Sequence, residues 1–109
     1  MQAVWFEQFG QAATVLQQGD RPTPQPASGE VLVRMHTTGV NPSDVKKRAG
    51  AFPDLLDTGP VIPHSDGAGV IDQVGAGVDA SRMGQRVWTW NAQYKRPFGT
   101  AAQYIVLPQ

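Results

Sequence analysis

Two short clusters hold most of the reactive side chains in this sequence. Asn41-Pro42-Ser43-Asp44 puts an amide, a fixed backbone angle, a hydroxyl and a carboxylate in four positions, and His64-Ser65-Asp66 puts imidazole, hydroxyl and carboxylate side by side. The second cluster contains the members of a hydrolytic triad. A triad needs its three groups delivered by separate backbone segments, so adjacency in sequence argues against one. His36, His64 and Asp66 lack the spacing of a metal site. His36 reads instead as a solvated or hydrogen-bonded surface histidine. Gly67-Ala68-Gly69 and Gly75-Ala76-Gly77 invite a phosphate-loop reading, yet neither run completes G-x-G-x-x-G or opens a helix. Glycines that permit bulges and tight turns at strand ends are the simpler account.

For Asn41 to Asp44 two readings stand. Loops at strand ends often carry function, and an amide beside a carboxylate suits polarising or orienting a ligand. The same residues also suit helix capping, with Asn41 as cap and Ser43 and Asp44 near the positive end of the helix dipole. Residue types alone fit both, capping being the simpler.

The elements that must position these residues are short. Ala3-Val4-Trp5-Phe6 predicts a first strand, and Thr14-Val15-Leu16 a second, ended by a turn at Gly19-Asp20. Pro22, Pro24 and Pro26 fall on alternate positions, which predicts an extended surface connector. Ser28-Gly29 then turns into the clearest strand, Glu30 to Thr38. Val31, Val33 and Met35 share one face of it, with Arg34 and His36 on the other. Pro42 suits the first turn of a short helix running to about Arg48 and ended by Gly50. Residues 51–63 form a loop, and further strands are expected at Val70–Val74, Arg86–Trp90 and Ala102–Leu107. About six short strands with one or two short helices predict a mainly β, antiparallel barrel or sandwich.

Composition narrows the partners. At 109 residues the chain is one domain, with twelve glycines and nine prolines breaking it throughout. Nine basic and nine acidic residues cancel, so no electrostatic case exists for nucleic acid or an anionic membrane. The absence of cysteine excludes disulfides, thiolate chemistry and cysteine-based zinc sites within the segment. No run approaches the roughly 18 apolar residues of a membrane span, and MQAVWFEQFG is no secretory leader. A cytoplasmic location is expected.

Four stretches taken together resemble the medium-chain dehydrogenase/reductase superfamily, in its quinone oxidoreductase (zeta-crystallin-like) branch. They are PASGEVLVRMHTTGVNPSDVKKRAGAF, VIPHSDGAGVIDQVGAGV, GQRVW and FGTAAQYIVLP, in matching order and spacing. The resemblance implies a GroES-like, partly open β-barrel across residues 1–109. It also implies a parent that is an NADPH-dependent reductase of quinones or α,β-unsaturated carbonyls, expected as a homo-oligomer. In zinc-containing relatives the strand-to-helix corner offers a cysteine ligand where this chain has Asn41. Their Gly-His-Glu motif aligns with His64-Ser65-Asp66, which puts Ser65 at the ligand position. Catalytic zinc is therefore not expected.

The resemblance further implies that Asn41 and Asp44 lie beside the nicotinamide and substrate as catalytic and cofactor-binding residues, with Phe52 as a further cofactor contact. Lys46, Phe52 and Ser65 are implied to face the substrate. Lys46 and Phe52 stand where many relatives carry tyrosine. The family's Rossmann domain and C-terminal return segment have no counterpart in these residues, so the segment by itself is expected to be inactive and to bind NADPH weakly. An enoyl-thioester reductase of the same superfamily and a non-catalytic GroES-like interaction module are the alternative readings.

Overall fold

In the computed structural model, which describes residues 1–109, the strand with the clearest alternation lies inside the main sheet. That strand, β3 (Glu30–Gly39), pairs antiparallel with β4 (Asp66–Val74) on one side and β6 (Tyr104–Pro108) on the other. β5 (Arg86–Thr89) pairs with the far side of β4. The order β5-β4-β3-β6 leaves β5 and β6 as edges, so the sheet does not close on itself. β1 (Gln2–Trp5) and β2 (Gln17–Asp20) form a separate two-stranded ribbon. Single bridges from Ala3 to Ala102 and from Phe6 to Val61 tie the N-terminal residues to the rest. Two short helices, α1 (Ala12–Val15) and α2 (Pro42–Arg48), complete a mainly β, partly open fold. No helix is long and apolar enough to cross a membrane.

Alternation along β3 builds the core. Val33 pairs with Ile71 on one side and Ile105 on the other, and the three pack with Val31, Val78 and Ala92. Each such side chain, fully buried, contributes roughly 1.5–3 kcal/mol. Arg34 and His36 are exposed and sit 3.3 Å apart through Nη1 and Nε2, which fits the surface role expected of His36. A second, smaller core of Phe6, Val15 and Val61 is joined by Leu55 and Leu56. It pins the loop after α2, and hence Phe52, against the body of the domain.

Three expectations need correction. Thr14 to Leu16 is not a strand, because Ala12–Val15 forms a single helical turn. A three-residue apolar run cannot separate the two states, and Ala12-Ala13 favours helix. Gly19 and Asp20 do not end a strand in a turn; they lie within β2, where Gly19 pairs with Ala3. A Cβ there would meet the Trp5 ring at 3.4 Å, so glycine leaves room for the indole. Gly67 to Gly69 do not bound β4 but lie inside it. A Cβ on Gly69 would collide with the Arg34 carbonyl, next to the register irregularity between Met35 and Thr37. Close approach of two strands is what that glycine permits.

Candidate functional site

The chain leaves β3 at Gly39 and enters α2 through Asn41, whose extended backbone (φ −114°, ψ 160°) makes it the N-cap residue, with Pro42 at the first helical position. Asp44 is buried at 5% exposure. Its Oδ2 accepts the Asn41 N–H at 2.7 Å, the reaching-back half of a capping box. Its Oδ1 accepts the His64 N–H at 3.2 Å. His64 has a left-handed backbone (φ 78°), so one carboxylate fixes both the start of α2 and a strained turn before β4.

Asp66, the first residue of β4, faces the same corner. Its Oδ2 accepts from Asn41 Nδ2 at 2.6 Å, and its Oδ1 accepts the Asn91 N–H at 3.2 Å. Behind them Thr38, His64 and Thr100 form a polar knot. Thr38 Oγ1 lies 2.7 Å from Thr100 Oγ1 and 3.0 Å from His64 Nδ1, and Thr100 Oγ1 donates to the Asp66 carbonyl at 2.9 Å. Residues 62–64 and 99–101 are laced by main-chain bonds, and a Cβ on Gly99 would collide with the His64 carbonyl. With His64 turned to Thr38 and Asp66 engaged by Asn41 and Asn91, the adjacent His64, Ser65 and Asp66 make no relay. No three His, Cys, Asp or Glu side chains converge as a metal site.

A cleft of about 1150 Å³ opens in front of this corner. Asn41, Phe52 and Ser65 line it, as does Asp66. Asp44 stands behind its wall, and Lys46 is exposed outside it. Lys47 lines the cleft instead. Helical geometry explains the exchange: Ser43 and Lys47 are four residues apart and share a face, whereas Lys46 is turned about 100° away. Trp90, Gln93 and Tyr94 line it too. Three of these went unsignalled or misread in sequence. Asp66 had a signal in its alignment with the Gly-His-Glu motif, and Lys47 had one in its spacing from Ser43. Gln93, in an irregular polar loop, had none.

The arrangement offers flat aromatic faces, an amide fixed by a carboxylate, and two ammonium groups, Lys47 and Lys95. Neither serine in the cleft has a base to activate it. These features suit a planar conjugated carbonyl and not acyl transfer. The glycine pairs lie within β4 and in the turn after it, so neither opens a helix as a pyrophosphate cradle would.

Fold and corner together define a β domain that presents one wall of a ligand cleft. The chain belongs to the alcohol dehydrogenase GroES-like domain family, which matches residues 27–109, and to the quinone oxidoreductase branch of the medium-chain dehydrogenase/reductase superfamily. It is 37% identical over 94 residues to the quinone oxidoreductase of Rattus norvegicus, covering 84% of this chain and 27% of the relative. The solved quinone oxidoreductase from Coxiella burnetii superposes with a TM-score of 0.88 at 29% identity, over 99% of this chain and 34% of that one. A mycobacterial protein solved in complex with NADPH gives a TM-score of 0.76 at 30% identity, over 99% of this chain and 31% of that one. The chain thus spans about a quarter of the length of the curated relatives it matches.

Proposed function

We infer that this segment is the substrate-facing wall of a zinc-independent, NADPH-dependent reductase of quinones or α,β-unsaturated carbonyls. The observation that carries the reading is the Asn41–Asp66 hydrogen bond at the mouth of the cleft. Zinc-containing relatives place a ligand at the Asn41 position; here a neutral amide stands there, fixed in orientation. The quinone oxidoreductase relatives and the NADPH complex of a structural neighbour support the choice of substrate class and cofactor.

When bound, the reduced nicotinamide supplies a hydride. The chain's own residues do the rest. Asn41 and the Phe52 ring border the nicotinamide end and the substrate. Asp66 takes one N–H of the Asn41 amide, leaving the other to donate to the substrate oxygen or to a water. A donor set in place before charge develops on that oxygen lowers the barrier most. Asp44 acts as a positioning residue, through the Asn41 main chain and His64. Ser65 lies on the same wall, and Lys47 takes the substrate-facing place that the resemblance gave to Lys46.

The test uses the full-length polypeptide that carries this segment, dialysed against chelator. NADPH oxidation with 1,4-benzoquinone should proceed, and elemental analysis should show negligible zinc. A tightly held equivalent of zinc, or turnover only after zinc is returned, would contradict the proposal.

A further inference from the structure

Lys47 stands out among the cations of the cleft. Its Nζ donates to Gln93 Oε1 at 3.3 Å, and no carboxylate lies within 4 Å of it, the single such ion pair in the structure being Arg34–Asp72. Its charge is thus met by a neutral amide and left uncompensated on the cleft wall. Gln93 adds an independent sign. It is 4% exposed, and its Nε2 is buried with no hydrogen-bond partner. An unpaired buried amide works against folding. Turning the amide over to relieve this would aim N–H groups at an ammonium, which has no acceptor. Gln93 therefore holds its oxygen towards Lys47 at a cost to the fold.

The remaining charged groups on the cleft wall are Asp54, Asp66, Lys95 and Arg96. Asp66 is engaged by Asn41 and Asn91, Arg96 Nη1 donates to the Val106 carbonyl at 3.0 Å, and Lys95 lies 5.3 Å from the Tyr94 ring centre. None of the three cleft cations has an anionic partner, and Lys47 is the one held by a buried side-chain amide.

We propose that Lys47, held by Gln93, joins the Asn41 amide in meeting the substrate oxygen as negative charge develops there, so that the cleft favours planar aromatic oxyanions. The inference rests on the reductase reading of the same cleft. In the reaction a hydride brings two electrons to the electrophilic carbon of the conjugated carbonyl, and the carbonyl π pair moves onto oxygen. Lys47 Nζ–H hydrogen-bonds that oxygen, which then takes one proton from water. One hydride and one proton are consumed, and the nicotinamide is left oxidised. Charge-assisted bonds of this kind are about twice as strong as neutral ones, and they gain strength as the oxygen becomes an anion.

Binding alone tests the inference, with the 109-residue chain and no cofactor. The probes are 4-nitrophenolate and its neutral analogue 4-nitroanisole, followed by titration of tryptophan fluorescence and of phenolate absorbance. The chain should prefer the phenolate by about tenfold, the size of one charge-assisted contact. Lys47→Met should abolish the preference through loss of phenolate affinity. Gln93→Leu should reduce it, and Gln93→Glu, which neutralises the ammonium without altering shape, should remove it. Lys95→Met should leave it intact. A preference that survives Lys47→Met, that is lost instead in Lys95→Met, or that is absent from the unaltered chain overturns the inference. Absence of reductase turnover in the full-length polypeptide, with the phenolate preference intact, would sink the reductase reading and leave Lys47 as an oxyanion-binding group with no part in hydride transfer.

Discussion

Asn41 Nδ2 and Asp66 Oδ2 are 2.6 Å apart, joining the start of α2 to the start of β4 across 25 residues of sequence. The bond does two things at once. It closes the corner between helix and sheet, and it sets the plane of the only amide at the mouth of the cleft from α2.

Those two roles separate in a swap of the pair. Asp66→Ala removes a hydrogen bond to a charged group and should cost about 1.5–3 kcal/mol of stability. Asn41→Asp with Asp66→Asn restores a bond of reversed polarity, so denaturant melts should recover most of the loss. Turnover of the full-length polypeptide should not recover, because a carboxylate then stands where a donor is needed. Recovery of both would reduce the pair to a structural tie.

Asp44 should behave differently from Asn41. Both its carboxylate oxygens accept main-chain N–H groups, and the side chain is buried. Asp44→Ala leaves two donors unsatisfied and should cost about 2–4 kcal/mol. Thermal melts should fall by roughly 10–20 °C for a domain of this size. A melting point within a degree or two of the unaltered chain would contradict the positioning role.

The 109-residue chain by itself should show no saturable NADPH binding at micromolar concentration and should self-associate. The first half follows from the absence of a glycine-rich turn opening onto a helix. The second follows from edge strand β5 and its neighbour, where Trp88 is 74% and Trp90 71% exposed. Exposed strand edges with large apolar side chains tend to pair with a second copy. Calorimetric titration checks the first half and light scattering the second. A micromolar isotherm, or a monodisperse monomer at high concentration, would count against the respective half.

Much of the fold was legible because β3 carries a strong period-2 signal. Val31, Val33 and Met35 marked the core face, and Asn41-Pro42 marked the start of α2 to the residue. What escaped was set by tertiary contact. The Thr14 run took its state from packing of Val15 on Phe6 and Val61. Gly19 and Gly69 looked like punctuation, yet each lies within a strand to make room for a neighbour that only the pairing register reveals. At the site, Asn41 was legible as a corner residue. Its partner Asp66 was masked, because the triplet around it reads as a hydrolytic triad or a zinc motif and nothing in the sequence pairs it with Asn41. Gln93 approaches Lys47 across 46 residues of sequence, from a loop with no periodicity to read.

The central claim, that the Asn41 amide acts on the substrate and does more than close a corner, is tested most directly by Asn41→Ala in the full-length polypeptide. Steady-state NADPH–quinone kinetics should show turnover reduced on the order of 100-fold, as when a preorganised oxyanion donor is removed. Thermal melts alongside should show the loss of the bond to Asp66, about 1.5–3 kcal/mol, as for Asp66→Ala. Unchanged turnover with a lowered melting point would contradict the account and return Asn41 to helix capping alone.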